Sequence, residues 1–164
     1  MAIIVAAILI GIGAPALKAT IDRRAVAAEA DRLVRSINYA RSEAINKQLI
    51  VGLERLSGTV NIWTDGWRVY STPSNNITVA YNTGTDTLLR DVSAVASGAT
   101  VIAKTAAANR IKFNQSGRLI GGAVAIVVCD AAKSTNFEGQ RISINVVGRT
   151  SVGKIAPADK ASDC

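Results

Sequence analysis

The chain has 164 residues, of which 49% are hydrophobic, and this composition excludes an intrinsically disordered protein. Its formal net charge is +7, a cationic excess that favours anionic partners such as nucleic acid or lipid headgroups. Histidine is absent, which excludes a Ser-His-Asp triad and any histidine-ligated metal site.

The first segment in chain order is apolar, because residues 1–17 contain no charged side chain. As a helix it would span about 25 Å, slightly less than the roughly 30 Å hydrocarbon core of a membrane. Three interpretations stay open: a transmembrane helix, a buried core helix, and a secretory signal peptide cut after Ala16 or Ala19. No basic residue precedes the apolar run, so the usual start of a signal peptide is missing.

The helical pattern continues beyond this segment. No turn signal interrupts it, and Pro15 can kink a helix without ending it. The sequence therefore predicts one helix over 1–48, with a membrane part at 1–17 and an amphipathic part at 18–48. Apolar residues of the second part recur at spacings of three and four, which places them on one helical face. We expect this face to pack on the rest of the chain through Val26, Ala30, Leu33, Ile37, Ala40 and Ala44.

Residues 49–164 change to the alternating period that is typical of β-strands. Short apolar runs are separated there by turn signals rich in Gly, Asn, Asp and Ser. The pattern predicts two antiparallel sheets packed on each other and on the helix, which is an α+β fold with a β-rich head. The predicted strands lie at 49–56, 59–63, 67–71, 77–81, 87–92, 110–115, 123–129, 141–147 and 149–155.

Short motifs follow one another along nearly the whole chain. They are ARSEAI at 40–45, DGWRVY at 65–70, LLR at 88–90, IKFNQSGRL at 111–119, VVCD at 127–130 and ISINVVGR at 142–149, before a C-terminal cysteine. Their order and spacing resemble the GspH/FimT family of type IV pilin-like proteins. The resemblance implies a pilin-like fold, in which the front of the helix anchors the precursor in the bacterial inner membrane and later packs in the core of a filament.

The resemblance also implies a minor pilin or pseudopilin and not an enzyme, so no catalytic residue, cofactor, metal or small-molecule substrate is expected. The expected partners are other minor and major pilin subunits, and the inner membrane before assembly, with the head in the periplasm. We favour a subunit that takes part in assembly or forms the tip of a type IV pilus. A type II secretion pseudopilin and a DNA-binding minor pilin stay open, as does a secreted β-sandwich binding module behind a signal peptide.

The N-terminus departs from the pattern of the family. Precursors in the family are cut by a prepilin peptidase just ahead of a mature start that this sequence lacks. Met1 is therefore expected to fall inside the mature helix, so that the sequence is truncated at its N-terminus.

The two cysteines, Cys129 and Cys164, are too few for a four-cysteine zinc site. A disulfide between them would hold the C-terminus to the head and would stabilise the fold by roughly 3–4 kcal/mol in the chain-entropy model. It would also imply an oxidising compartment. Two unrelated free thiols are the alternative.

A possible DNA-binding surface is implied by the resemblance. The DNA-uptake branch of the family carries a Gly-Arg-x-Arg motif near the C-terminus that supports binding of double-stranded DNA. This sequence keeps Gly148 and Arg149, but Ser151 stands where the second arginine would be. Such a patch would hold phosphates without reading sequence, and a solvated or ion-paired Arg149 is the alternative. The predicted phosphate contacts are Arg149, Lys154, Arg110 and Lys112.

Two further features have a structural and a functional interpretation. Arg41 and Glu43 lie two residues apart, so they face different ways on a helix, and we expect a structural role at the helix–sheet junction rather than an active site. Trp63 and Trp67 flank a predicted turn, where they either close a core or stack on nucleic-acid bases.

Overall fold

The computed structural model describes residues 2–56, 58–95, 98–105, 109–130, 139–155 and 164, with the backbone alone for 2–19 and 22. A single helix, α1, extends from Ala2 to Lys47. The side chains of the predicted membrane part, 1–17, lie outside the described residues. Within the part of the chain that the structure describes, no helix is long and apolar enough to cross a membrane.

The rear half of α1 packs on the head through one buried face. Val26, Ala30, Leu33, Ile37, Ala40 and Ala44 are all buried there. Burial of a side chain such as Leu33 or Ile37 stabilises the fold by about 1.5–3 kcal/mol. The three alanines are small, so the helix backbone lies close to the sheets.

The helix ends where the backbone turns left-handed. Gln48 has a φ of +54°, and the amide of Leu49 donates a hydrogen bond of 3.2 Å to the carbonyl of Ala44. The Gln48 side chain donates back to the carbonyl of Ile45 at 2.8 Å. These bonds satisfy carbonyls that have no partner within the last turn of a helix.

Two antiparallel sheets form the head. The five-stranded sheet has the order β3-β2-β1-β5-β6, and the four-stranded sheet has the order β4-β7-β8-β9. With α1 packed against both sheets, the predicted α+β architecture is confirmed. The strands are β1 (Ile50–Arg55), β2 (Trp67–Thr72), β3 (Thr87–Val92), β4 (Ala99–Ala103), β5 (Arg110–Phe113), β6 (Leu119–Ile120), β7 (Val124–Asp130), β8 (Gln140–Ile144) and β9 (Thr150–Lys154).

The larger of two hydrophobic clusters in the described residues lies between the helix and the inner faces of the sheets. Val51 and Leu53 contribute from β1, and alternate residues of the other strands point to the same side, as the period of two requires. Trp63 and Trp67 are both fully buried in this core, with ring centroids 6.4 Å apart. The core interpretation of the two tryptophans is therefore correct, and neither ring is accessible to a base.

Two predicted strands are not strands in the structure, and two observed strands were not predicted. The segment 59–63 makes only one bridge, from Ile62 to Ile102, because Asn61 has a φ of +64° and interrupts the extended backbone. The segment 77–81 is irregular. The strands missing from the prediction are β4, which directly follows the turn at Gly98, and β6, which has two residues.

Candidate functional site at the end of the helix

Two hairpin turns with the same sequence pattern and the same hydrogen bonds lie side by side at the end of the head. The turn 114–118 joins β5 to β6, and the turn 145–149 joins β8 to β9; both read Asn-x-x-Gly-Arg. In each, the asparagine amide donates to the arginine carbonyl, at 2.9 and 3.1 Å, and the glycine amide donates to the asparagine carbonyl, at 2.8 Å in both. In each, the asparagine side-chain oxygen accepts a hydrogen bond from the backbone amide of the arginine, at 3.0 and 2.8 Å. We call these turns the twin hairpins.

The glycine in each of the twin hairpins adopts a backbone conformation that other residues rarely adopt. Gly117 has a φ of +71° and Gly148 a φ of +80°. Space is restricted as well, since a Cβ atom on Gly148 would lie 2.1 Å from the carbonyl oxygen of Gly117. A Cβ atom on Gly117 would lie 2.6 Å from the Cδ1 atom of Ile45 on the helix. Both positions therefore require glycine.

Arg41 joins the helix to both hairpins. Its Nε donates to the carbonyl of Gly117 at 3.0 Å, and its Nη2 donates to the carbonyl of Val147 at 3.4 Å. The amide of Leu119 also donates to the carbonyl of Val146 at 3.1 Å, which links the hairpins directly. Because the hairpins belong to different sheets, this contact, the Arg41 junction, holds the helix and both sheets together at one end.

The sequence placed Arg41 at a helix–sheet junction but did not give its partners. The signal in the sequence that could have paired the two turns is the repeated Asn-x-x-Gly-Arg spacing. Glu43 forms an ion pair with Lys47, with 2.7 Å between Oε2 and Nζ. Hydrogen bonding to Glu43 and the charge of Glu43 raise the pKa of Lys47 above its usual value.

Exposed aliphatic side chains surround the Arg41 junction. Ile45, Val146 and Val147 are 39%, 48% and 47% exposed, and Arg118 and Arg149 follow the two turn glycines and are also exposed. No three Cys, Asp or Glu side chains in the described residues lie close enough to hold a metal ion. The arrangement is therefore a rigid, partly apolar end surface with a basic rim, which suits contact with another macromolecule.

The four residues predicted to contact DNA do not form one surface. Arg149 directly precedes β9 and Lys154 is its last residue, and both are exposed. Arg110 and Lys112 lie on β5 in the other sheet. Arg110 forms an ion pair with Glu54 at 2.8 Å, and Lys112 is fully buried. The structure therefore does not bring the four together, and DNA binding by Arg149 and Lys154 stays a prediction.

Lys112 fixes the segment 73–86, which connects β2 to β3. Its Nζ donates to the carbonyl of Asn76 at 2.8 Å and to that of Ser74 at 3.4 Å. Arg110 likewise donates to the carbonyl of Thr78 at 3.0 Å. Within 77–81, the Thr78 carbonyl thus bonds to Arg110 and the Tyr81 amide donates to Glu54 at 2.8 Å, so these backbone groups bond to side chains instead of a neighbouring strand. Burial lowers the pKa of Lys112 below its usual value.

Tyr70 lies beside Lys112 under this segment, with the Lys112 Nζ 6.0 Å from its ring centroid. Its hydroxyl oxygen is buried and has no hydrogen-bond partner among the described residues. Burial, followed by the charge of Glu54, raises the pKa of Tyr70 well above its usual value of about 10.

Tyr70→Phe is expected to keep or raise the free energy of unfolding at neutral pH, by up to about 1 kcal/mol, because it removes an unsatisfied buried hydroxyl. A raised folded pKa stabilises the fold below the unfolded pKa, and this contribution is lost as pH rises above about 10. The wild type should therefore lose stability above pH 10 more steeply than the variant. Urea unfolding at pH 7, 9 and 10.5 measures this difference, with Tyr81→Phe as the control. Parallel pH profiles for wild type and Tyr70→Phe would contradict it.

The two cysteines, Cys129 and Cys164, form a disulfide, with their Cα atoms 5.9 Å apart. Cys129 is buried at the end of β7, where Val127 and Ile155 pack around the bond. Cys164 is thus attached covalently to β7, an inner strand of the four-stranded sheet.

A family model described as type II transport protein GspH matches residues 29–148. The chain belongs to the GspH family. The matched region includes the buried face of α1 from Ala30 on, Arg41 and most of the twin hairpins, and the resemblance inferred from the motifs is confirmed. Comparison with curated proteins finds no match for this GspH-family chain.

Solved structures of minor pilins share the fold of this GspH-family protein. The type IV minor pilin FimU of Pseudomonas aeruginosa has a TM-score of 0.62 at 21% identity, over 83% of this chain and 92% of that one. The minor pseudopilin EpsH from the type 2 secretion system of Vibrio cholerae has a TM-score of 0.56 at 12% identity, over 80% of this chain and 97% of that one. At these identities the likeness establishes the fold alone.

Proposed function

We propose that this GspH-family protein is a minor pilin that takes part in assembly of a type IV pilus or forms its tip. In this role the front of α1 anchors the chain in the bacterial inner membrane, with the head in the periplasm, and later packs among the helices of a filament. Other minor and major pilin subunits are its partners. The protein acts by binding, without catalysis.

The observation that supports this proposal is the length of α1 ahead of its buried face. The helix has 46 residues, and the first one described as buried, Val26, lies past its midpoint. The part ahead of Val26 is about 36 Å long, and its apolar portion spans about 25 Å of the roughly 30 Å hydrocarbon core. In the sequence this part is apolar up to Leu17. Packing of the head requires only the part of α1 from Val26 on, so the extension ahead of it indicates a contact outside the head.

The preference for a pilus over a secretion system rests on two features. The structural similarity is greater to the minor pilin FimU than to the pseudopilin EpsH, in both TM-score and identity. The C-terminal cysteine also favours a pilus subunit, by analogy with the family. A type II secretion pseudopilin is the alternative that these two features count against.

Deletion of the gene in its own bacterium tests the choice between machines. We expect fewer surface pili by electron microscopy and restoration by the full chain expressed in trans. Unchanged piliation together with loss of extracellular enzyme secretion would instead establish a secretion pseudopilin and overturn the pilus proposal.

Leu9→Arg tests the anchor. A charged residue at the centre of a membrane helix costs roughly 2.5–3.5 kcal/mol in insertion, so the variant should shift from the membrane pellet to the soluble fraction. Thr20→Arg, at an exposed helix position, adds the same charge and should stay in the pellet. N-terminal sequencing of the mature wild type completes the test, because a start after Ala16 or Ala19 would support the secreted module and refute the anchor.

A further inference from the structure

A polar groove lies between the middle of α1 and the edge strand β3, away from the Arg41 junction. Its volume is about 410 Å³. Side chains from the helix, from β3 and from the residue after β3 line it, and three of them are arginines. We call it the arginine groove; it is lined by Arg32, Arg35, Arg90, Asp91 and Ser93.

Arg32 is a fixed wall of the arginine groove. Its Nη2 donates to the carbonyl and the hydroxyl of Ser93, at 3.1 and 3.0 Å. Its Nη1 is 3.3 Å from a carboxylate oxygen of Glu29, and its guanidinium carbon lies 5.6 Å from the ring centroid of Trp67. Glu29 therefore offsets the charge of Arg32, and the geometry of this side of the groove is set before any ligand arrives.

The other two arginines bring charge that the protein does not neutralise by direct contact. The Arg90 guanidinium lies 5.3 Å from the ring centroid of Tyr39, which is one helical turn after Arg35. Neither the Arg35 nor the Arg90 side chain forms an ion pair or a hydrogen bond with any residue that the structure describes. Stacking on a ring uses the face of a guanidinium and leaves its N–H edge free to donate.

Asp91 is the one carboxylate among the described residues that line the groove, and it forms no ion pair there. Asp91 follows Arg90 on β3, where successive side chains point to opposite faces, and it pairs with Arg68 in the register of β2 and β3. The charges of Arg35 and Arg90 are therefore not offset by a contacting carboxylate, and an anion bound between them would lower the free energy of the groove.

We propose that the arginine groove binds a phosphate group. Guanidinium edges match the oxygens of a phosphate, and bonds to several charged donors at once make the contact strong. A carboxylate has two oxygens, which one arginine can satisfy. The groove instead offers donors from the helix, from β3 and from the residue after β3, namely Arg35, Arg90 and the Ser93 hydroxyl, and this suits the larger number of oxygens on a phosphate. The phosphate comes from a lipid headgroup or from free phosphate in the periplasm. The inference does not depend on which filament the protein enters.

Titration calorimetry of the full chain in a non-ionic detergent tests the site, with inorganic phosphate as the probe and chloride at matched ionic strength as the blank. We expect saturable binding that Arg35→Gln and Arg90→Gln each weaken by about threefold to tenfold, and that the double variant abolishes. Arg24→Gln removes an exposed arginine from the same helix outside the groove and should leave affinity unchanged.

Asp91→Asn provides an effect of the opposite sign, which loss of folding cannot imitate. Removing the carboxylate that lines the groove should tighten phosphate binding by about threefold. Equal affinities for the wild type, Asp91→Asn and the Arg35/Arg90 double variant would overturn the proposal, as would wild-type heats that match the chloride blank.

A second experiment distinguishes a lipid headgroup from free phosphate as the ligand. Micelles doped with phosphatidylglycerol should weaken the apparent affinity for inorganic phosphate, relative to phosphatidylcholine, when a lipid headgroup occupies the groove. Unchanged affinity in both micelles assigns the site to free phosphate. Either result supports the site, because both require binding that depends on Arg35 and Arg90.

Discussion

Gly148→Ala is expected to lower the free energy of unfolding by about 3 kcal/mol. A left-handed backbone costs a non-glycine residue roughly 1–2 kcal/mol. The added Cβ would also lie 2.1 Å from the Gly117 carbonyl oxygen and 2.8 Å from Arg41 Nε, so the two hairpins must separate. Separation weakens the two hydrogen bonds of Arg41, each of which contributes about 0.5–1.5 kcal/mol. Urea unfolding of the full chain in detergent measures the loss.

Gly153→Ala is the matched control, because Gly153 lies on β9 after the same turn and its Cβ would meet nothing within 4 Å. This variant should stay within about 0.5 kcal/mol of the wild type or gain slightly. Arg41→Gln in the Gly148→Ala background should cost less than Arg41→Gln alone, since the first change already weakens the same contact. Equal losses for Gly148→Ala and Gly153→Ala would show that the close approach of the hairpins is unimportant.

The helix and most of the strands could be predicted because their signals are local. The buried face of α1 follows from apolar spacings of three and four, and β1, β2 and β7 from apolar runs between turns. The strand β6 could not be predicted, because two residues are too few to show a period. At 77–81 the apolar run was misleading, because the carbonyl of Thr78 and the amide of Tyr81 bond to the side chains of Arg110 and Glu54, which lie far along the chain.

The site shows the same division between local and distant information. Each of the twin hairpins is encoded locally, by an asparagine that accepts and a glycine that turns. Their meeting at Arg41 depends on which strands neighbour which, and a single sequence does not contain that information. The predicted DNA patch combined Arg149 and Lys154 with two cations of a distant segment. Strand pairing puts that segment, β5, in the other sheet, where Lys112 is buried.

Cys164→Ala is expected to lower the free energy of unfolding by about 3–4 kcal/mol. The disulfide joins residues separated by 35 positions, and closing a loop of this size removes that much chain entropy from the unfolded state. For a chain of this length the loss corresponds to a fall in Tm of roughly 10 °C. The substitution leaves Cys129 in place, so the packing of its side chain against Val127 and Ile155 is kept.

Thermal unfolding of the full chain with and without a thiol reductant isolates the bond itself. The reductant should lower the Tm of the wild type to that of Cys164→Ala and should leave the variant unchanged. The Cys129→Ala/Cys164→Ala double variant should melt close to the single one, because a buried free thiol acts as a small apolar group. If the fully reduced wild type, verified by mass, kept its original Tm, the bond would contribute nothing to stability. A cysteine pair on which stability depends also requires the head to mature where disulfides form, as the periplasmic location of the proposed function supplies.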